Sequence, residues 1–236
     1  MSTAIQRLKR RVKGSQAYQH LEFTRWRARN LNRVVRFHAA QSERRSDPAT
    51  TAIVDELRDQ GIVIRPWQTV LGPDQPIMPR VMAEAAQRWA EAKASAPAEV
   101  ATSSANPYAG KEYKARLLPD QLSVDSPFVQ FALDPRLLEL AGRYLGMQPA
   151  LLAVELWWDR PTTAPAKETQ LWHRDGDDLM NVKVFMYFND VDLETGPFCF
   201  IPQTHPLGNR QVLPVERNAQ GRSTDEQMAR AVPASE

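Results

Sequence analysis

Three short apolar segments late in the chain place the strongest constraint on its fold. They read ALLAVELWWD (150–159), VKVFMYFNDV (182–191) and GPFCFIP (196–202), each rich in aromatic or β-branched residues and bounded by Pro, Gly, Asp or Asn. KETQLWHRD (167–175) is a weaker fourth candidate. Short strands of this kind favour antiparallel pairing, so we predict a sandwich or jelly roll in this half of the chain.

The residues before these segments carry helix signals. Thr50 or Thr51 can cap a short helix that runs through Arg58 and ends at Gly61. The IVI that follows (62–64) is typical of a short buried strand. This helix and strand would lead the chain into its globular domain.

Two more regions are predicted to be helical. Residues 80–95, RVMAEAAQRWAEAKAS, are rich in strong helix formers. Within residues 126–146, Asp134, which is followed by Pro, should begin a second helix that Gly146 ends. Residues 97–116 are small, polar and Pro-containing and read as a loop, and the last fourteen residues read as a short helix with an extended tail. Helices followed by strands predict the α+β class.

Length and composition limit the number of domains and the cellular setting. With 236 residues, 42% hydrophobic and 25% charged, the chain can bury one core with peripheral helices. The single cysteine, Cys199, excludes an internal disulfide, and the spacing of Cys and His fits no zinc site. No apolar run is long enough to cross a bilayer. We therefore expect a cytoplasmic protein without a membrane span.

The N-terminal segment differs from the rest of the chain in charge. Residues 1–45 hold ten Arg and two Lys against two Glu, a net charge of +10, whereas the remainder carries −8. Four residues recur there at helical spacing: Leu31, Val34, Val35 and His38. Basic helices of this kind pack on a domain with a solvated basic face, contact nucleic acid or an anionic surface, or form an organelle transit peptide. We divide the chain into a basic helical extension (1–46) and a globular domain (47–236).

The sequence LWHRDGDDL (171–179) places an imidazole two positions from a carboxylate. On an extended strand His173 and Asp175 project from the same face, so both side chains can reach one ion. With a second histidine from elsewhere they would form the 2-His-1-carboxylate triad, which holds Fe(II) and leaves positions open for a co-substrate and oxygen. A single His-x-Asp motif is also what a histidine hydrogen-bonded to a nearby Asp at a strand end would give.

The longer stretch QLWHRDGDDLMNVKVFMYFNDVDLETGPFCFIPQTHPLG (170–208) resembles the phytanoyl-CoA dioxygenase family of non-haem Fe(II), 2-oxoglutarate-dependent oxygenases. The similar features are a His-x-Asp strand, an apolar strand, an Asp-rich turn with a Gly, and an IPGTH-like end. The segments TAIVDELRDQGIVI and FALDPRLLELAGRYLG resemble weaker features of the family. The resemblance implies that His173 and Asp175 are the first two iron ligands. It also implies a double-stranded β-helix, a cupin-like jelly roll, with N-terminal helices packed outside.

Strand alternation divides the segment after the motif into two faces. One face would carry Val182, Val184, Met186 and Phe188, and the other Lys183, Phe185 and Tyr187. The uniformly apolar face should pack against helices. By the resemblance the second face lines the 2-oxoglutarate site, with Phe185 as the aromatic residue beside it. Because a buried ammonium needs an anion, Lys183 binds a 2-oxoglutarate carboxylate, pairs with an acidic residue, or extends to solvent.

Other residues near the motif have ordinary interpretations. His205 lies in IPQTHP, the counterpart of a family turn whose histidine is not a metal ligand, and Gln203 replaces the usual glycine. If that turn requires positive φ, its geometry should differ here. Asp177 and Asp178 read as solvated loop residues. We interpret Trp157, Trp158 and Trp172 as core residues. The alternative is that they line the mouth of a substrate pocket.

The family pattern stops before its distal half. No histidine follows His205 in this sequence, and no arginine after it stands behind a histidine in a strand-like context. The third iron ligand and the arginine that grips 2-oxoglutarate are therefore missing from the pattern. We expect a C-terminally incomplete β-helix, either a partial copy of an oxygenase or a shortened homologue without the chemistry. In both cases this chain alone should lack turnover.

The predicted function is that of an Fe(II)/2-oxoglutarate-dependent dioxygenase. It would use molecular oxygen to hydroxylate a small organic substrate and give succinate and CO₂ as co-products. The alternative is a non-catalytic β-domain that binds a partner through its basic N-terminal helices. We expect no sequence-specific nucleic-acid partner for these helices, because no base-reading motif accompanies their arginines.

Overall fold

The structure, a computed structural model, describes residues 16–42, 47–95, 114–160, 165–175, 177–192, 195–208, 210, 217–218 and 220–232. The described helices are α1 Gln16–Arg29, α2 Leu31–Ser42, α3 Pro48–Gln60, α4 Trp67–Leu71, α5 Met78–Ser95, α6 Pro127–Ala132, α7 Pro135–Leu145 and α8 Asp225–Ala231. Two strands, β1 Lys114–Arg116 and β2 Trp157–Asp159, and a 3₁₀ turn at Glu168–Gln170 complete the described elements. Most of the predicted loop at 97–116 lies outside the described residues.

Several helices begin and end where the sequence predicts. Asp134 caps α7 by accepting a hydrogen bond from the backbone N–H of Arg136 at 2.8 Å, and Gly146 ends the helix with a φ of 66°. The predicted helix at 80–95 is confirmed as α5. The C-terminal helix is confirmed as α8, which Thr224 caps. Local capping chemistry therefore accounts for these boundaries.

The start of α3 corrects one prediction. The helix ends at Gly61, which has a φ of 78°, as predicted. Its cap is Asp47, whose carboxylate accepts a hydrogen bond from the backbone N–H of Ala49 at 3.2 Å. The prediction of Thr50 or Thr51 as the cap was wrong, because the Asp and the Pro after it begin the helix one turn earlier.

The sheet is smaller than predicted. β1 and β2 pair antiparallel, so the predicted strand at 150–159 is paired only at its end. An isolated antiparallel bridge joins Trp172 to Ser223. Three other predicted strands form no ladder with any described residue: 62–64, 182–191 and 196–202. Those predictions were wrong, and the double-stranded β-helix is not confirmed, because side-chain alternation does not provide the neighbouring strand that hydrogen bonding needs.

Three clusters of buried side chains form the described core. The first contains Trp26, Val34, Tyr144, Leu145, Met147 and Met180. The second contains Val81, Ala85, Leu118, Phe128 and Leu156. The third contains Leu71, Met78 and Leu137. Helices from the whole N-terminal two-thirds of the chain therefore share these clusters.

Residues 180–188 connect the three clusters. Met180 is buried in the first cluster, and Val182 packs against it. Phe188 packs on the second cluster, and Met186 packs on both the second and the third. The predicted apolar face is thus confirmed for three of its four residues, although the segment is not a paired strand.

The other side of this segment is open to solvent. Lys183, Phe185 and Tyr187 are exposed, with Phe185 at 56%. Val184, which alternation placed on the apolar face, is also exposed, so that prediction was wrong. Without a regular strand, the alternation of side chains does not hold at every position.

The basic N-terminal helices pack on the rest of the fold. Trp26 of α1 and Val34 of α2 are 7% and 8% exposed in the first cluster. Arg25, Arg29 and Arg36 are exposed. Leu31, Val35 and His38 are also exposed, so of the four residues at helical spacing only Val34 is buried. The described part of the segment still packs on the fold and exposes basic residues, as in the first alternative, while the domain boundary at 46/47 stays a prediction. No helix among the described residues is long and apolar enough to cross a membrane.

The IPQTHP turn docks on the end of α3. The backbone N–H of Gln203 donates to the carbonyl of Gln60 at 2.8 Å, and Nε2–H of His205 donates to the carbonyl of Arg58 at 2.8 Å. These bonds satisfy carbonyls in the last turn of the helix. Gln203 has a φ of 66°, in the left-handed region that favours glycine. The turn therefore requires positive φ at the position where this chain lacks the family's glycine.

We predict that Gln203→Gly stabilises the protein. A left-handed conformation costs a non-glycine residue about 1–2 kcal/mol, and the entropy of an added glycine offsets part of that, so the free energy of unfolding should rise by about 0.5–1 kcal/mol. Urea denaturation measures the change. Gln203→Ala is the matched control, because it removes the same side chain but keeps Cβ. A glycine variant no more stable than the alanine variant would contradict the prediction.

Candidate metal centre

An imidazole, two carboxylates and an ammonium meet on the exposed side of residues 180–188. Nε2 of His173 lies 3.5 Å from Oδ1 of Asp175, and their side chains are 28% and 41% exposed. Nζ of Lys183 lies 2.8 Å from Oδ2 of Asp175 and 3.4 Å from Oδ2 of Asp177. The structure thus brings together His173 and Asp175, as the motif predicts, and adds Lys183 and Asp177 to them.

The backbone selects which nitrogen of His173 faces Asp175. Nδ1 lies 2.7 Å from the carbonyl oxygen of Leu171. Because a carbonyl only accepts, Nδ1 must carry the proton of that bond. In the neutral ring Nε2 then keeps its lone pair, and this lone pair faces a carboxylate oxygen that is also an acceptor. An N–H donated to a backbone carbonyl is also the usual orienting contact of a metal-bound histidine.

The Lys183 ammonium contacts both carboxylates of the site and offsets one of their two negative charges. Partial burial lowers the pKa of Lys183, but the hydrogen bond and charge of Asp175, followed by the charge and hydrogen bond of Asp177, raise it above its ordinary value overall. The ammonium is therefore held in its charged form. Of the alternatives for Lys183, pairing with acidic residues is the arrangement that the structure contains. Because the pair is partly exposed, it contributes at most about 1 kcal/mol to stability.

Contacts with the C-terminal region hold the motif segment. Trp172 exchanges two backbone hydrogen bonds with Ser223, at 2.9 and 3.0 Å. Its indole N–H donates to a carboxylate oxygen of Asp225, the first residue of α8, at 2.6 Å. The guanidinium of Arg222 donates to the carbonyl of Glu168 at 2.7 Å. Trp172 is half-buried and contacts α8, but it belongs to none of the three core clusters, so the prediction of core packing was wrong for this tryptophan.

Three aromatic residues form an exposed group after the motif: Phe185, Tyr187 and Phe198. The rings of Phe185 and Phe198 stack with centroids 4.7 Å apart. The hydroxyl of Tyr187 accepts a hydrogen bond from the backbone N–H of Phe198 at 2.9 Å. Phe198 was not among the predicted site residues, although its position in the third apolar segment was a signal. Phe185 and Tyr187 are thus exposed, as alternation predicted, and both contact Phe198.

Two carboxylates that the sequence assigned to a solvated loop have specific partners. Asp177 lies against Lys183. Asp178 accepts a hydrogen bond from the indole N–H of Trp26 at 2.8 Å, and the same oxygen accepts from the backbone N–H of Leu179 at 2.6 Å. Both are exposed residues outside any helix or strand, so their interpretation as solvated loop residues is confirmed, and the structure adds their partners. No local pattern signals these contacts, because Trp26 lies on α1, far away in the sequence.

His205 and two tryptophans make contacts elsewhere. His205 donates from Nε2 to α3, and its unpartnered Nδ1 is buried against Gly61, where an added Cβ would lie 2.4 Å from it. Its role as a turn histidine therefore agrees with the structure. The half-buried Trp157 and Trp158 carry cations over their rings, Lys114 at 4.5 Å and Arg160 at 4.8 Å.

The His173 and Asp175 pair fits two positions of a divalent metal site. Ligands about 2.1 Å from one ion and at right angles are roughly 3 Å apart, close to the observed separation of their facing atoms. Two facing acceptors also need a cation between them, or a proton, to offset their repulsion. Among the described residues, no group of three or more His, Cys, Asp or Glu could hold a metal ion. The described site thus supplies two protein ligands.

The described fold is mainly helical, with one two-stranded sheet. Its candidate site is a facing imidazole and carboxylate, His173 and Asp175. The sequence model of the phytanoyl-CoA dioxygenase (PhyH) family matches residues 75–235. This is more than half of the chain, so the chain belongs to the phytanoyl-CoA dioxygenase family, as the resemblance implied. The family consists in general of jelly-roll oxygenases of the Fe(II)/2-oxoglutarate type, which act on small molecules with oxygen. No curated protein and no solved structure matches the chain.

We predict opposite tautomers for the two histidines near the C-terminal half. In the neutral ring His173 should carry its proton on Nδ1, and His205 on Nε2, because each donates to a backbone carbonyl from that nitrogen. Long-range ¹H–¹⁵N correlation spectra of histidine-labelled protein distinguish the two forms. His173→Ala and His205→Ala assign the signals. A His173 ring protonated on Nε2 would contradict the geometry of the site.

Proposed function

We propose that this chain carries two of the iron ligands of an Fe(II)/2-oxoglutarate-dependent oxygenase that hydroxylates a small organic substrate. The observation that carries the proposal is the facing pair of His173 Nε2 and Asp175 Oδ1 at 3.5 Å, within a chain of the phytanoyl-CoA dioxygenase family. Both atoms are acceptors on the exposed side of a packed segment, which leaves them accessible to an ion. His173 and Asp175 would hold the iron, as the sequence predicts.

The bound metal and 2-oxoglutarate would together supply oxidation of a substrate C–H bond by oxygen, with succinate and CO₂ as co-products. The protein's own contribution is orientation. The carbonyl of Leu171 keeps the ring of His173 turned with Nε2 toward Asp175, beside which an ion would bind. Contacts of Trp172 with Ser223 and Asp225 hold the backbone directly before His173 in place.

Lys183 would have a second partner in the complete site. In the structure its ammonium lies on Oδ2 of Asp175, the carboxylate that would bind the metal through Oδ1. A bound cation would repel the ammonium, which could then pair with a carboxylate of 2-oxoglutarate. The exposed ring of Phe185 and the hydroxyl of Tyr187 lie on the same side and would border the co-substrate. All three residues proposed for the co-substrate site, Lys183, Phe185 and Tyr187, are exposed, which supports this proposal.

The first test of this function is metal binding coupled to 2-oxoglutarate. Co(II), titrated into the 236-residue chain by absorbance or calorimetry, should bind weakly, because the described site offers two protein ligands. Adding 2-oxoglutarate should tighten Co(II) binding, and Co(II) should tighten 2-oxoglutarate binding by the same factor. His173→Ala should weaken Co(II) binding by about tenfold or more.

The control for that titration is His205→Ala, which removes a histidine placed outside the site. It should leave Co(II) affinity unchanged. Identical isotherms for wild type and His173→Ala would end the assignment of the ligand. Co(II) binding without any effect of 2-oxoglutarate would leave a metal site but contradict the oxygenase function.

We also predict that Lys183→Met separates the two roles of this lysine. Removing the ammonium frees Asp175 from a competing cation, so Co(II) alone should bind about fivefold more tightly, a change that corresponds to about 1 kcal/mol. The effect of 2-oxoglutarate on Co(II) binding should shrink in the same variant. Lys183→Arg is the control that keeps a positive charge. An unchanged 2-oxoglutarate effect in Lys183→Met would exclude Lys183 from the co-substrate site.

A further inference from the structure

A helix outside the family match reaches the loop beside the candidate metal centre. The match begins at residue 75, whereas α1 ends at Arg29. From α1, the indole N–H of Trp26 donates to Oδ1 of Asp178 at 2.8 Å. The indole is 7% exposed, so this bond satisfies a nearly buried donor that would otherwise lack a partner.

Apolar packing also holds the loop at residues 177–182 in place. Met180 is 4% exposed in the first cluster, which also contains Trp26, and Val182 packs against that cluster. The backbone N–H of Leu179 donates to the carboxylate oxygen that Trp26 binds. Residues 177–182 are therefore held to α1 by a charge-assisted hydrogen bond and by buried apolar side chains.

This loop carries the charges of the site at its ends. Asp177 directly precedes the anchored Asp178, and Lys183 directly follows Val182. The ammonium of Lys183 returns to contact both Asp177 and Asp175. A shift of the loop would therefore move Lys183 relative to the carboxylate that would bind the metal.

We propose that Trp26 is a positioning residue for the metal centre, acting through Asp178. This proposal rests on the proposed function of the site. By this proposal, the basic N-terminal helices help to position the residues of the metal centre. Trp26 touches no ligand. Its indole holds the 177–182 loop in the position that maintains the contact between Asp175 and Lys183.

The first experiment compares two core substitutions in the full 236-residue chain. Trp26→Phe keeps an aromatic ring in the first cluster and removes the N–H, whereas Val34→Ala removes apolar volume from the same cluster and no hydrogen bond. Trp26→Phe should weaken Co(II) binding about tenfold, the low end for residues that orient metal ligands. Val34→Ala should bind Co(II) like wild type at temperatures where both variants are folded. Equal weakening in both variants, or none in Trp26→Phe, would overturn the proposal.

A second pair of variants isolates the hydrogen bond from the charge. Asp178→Asn and Asp178→Ala both remove the negative charge, but only asparagine keeps a side-chain oxygen that can accept from Trp26 and Leu179. We expect Asp178→Asn to bind Co(II) about tenfold more tightly than Asp178→Ala. Equal affinities would show that the bond does not position the site.

Hydrogen exchange in the metal-free protein separates failure of this proposal from failure of the proposed function. The amide of Leu179 should exchange faster in Trp26→Phe and at the wild-type rate in Val34→Ala. If wild type binds no Co(II) but this exchange pattern holds, the oxygenase function and the metal role of Trp26 both fall while the anchor itself stands. If wild type binds Co(II) and Leu179 exchange is unchanged in Trp26→Phe, the positioning role alone fails.

Discussion

The inward side chains of residues 180–188 hold this structure together. Met180 and Val182 join the first cluster, Phe188 the second, and Met186 both the second and the third. The helices that form those clusters come from distant parts of the sequence, and this one stretch contacts all of them. Because the burial of apolar surface is the largest stabilising term in such a core, the position of this stretch determines what its other side can present.

That other side presents charge and aromatic rings. With Val182, Met186 and Phe188 committed to the core, Lys183, Phe185 and Tyr187 face solvent beside His173 and Asp175. Two acceptors, Nε2 and Oδ1, face each other, and the only described cation within reach of Asp175 is the Lys183 ammonium. The site therefore combines a facing imidazole and carboxylate, the candidate metal ligands, with an ammonium that already contacts one of them.

Two indole N–H groups connect the site to helices from distant parts of the chain. Trp172 binds Asp225 on α8, and Trp26 binds Asp178 from α1. Each bond joins residues that are far apart in sequence, and each tryptophan is at least half-buried. These two bonds connect α1 and α8 to the candidate metal centre. They give the basic N-terminal helices a structural connection to the chemistry that their charge alone did not indicate.

The sequence by itself determined the family, the helix ends at Asp134, Gly61 and Gly146, and the His173–Asp175 pair, because these depend on neighbouring residues. It also predicted most of the division between buried and exposed residues along 182–188. Only the tertiary structure decided the strand pairing, the backbone carbonyls that the two histidines contact, and the partners of Asp177, Asp178 and Lys183. Those features depend on groups brought together from distant positions, and a local pattern specifies a face or a cap but not the group that lies opposite it.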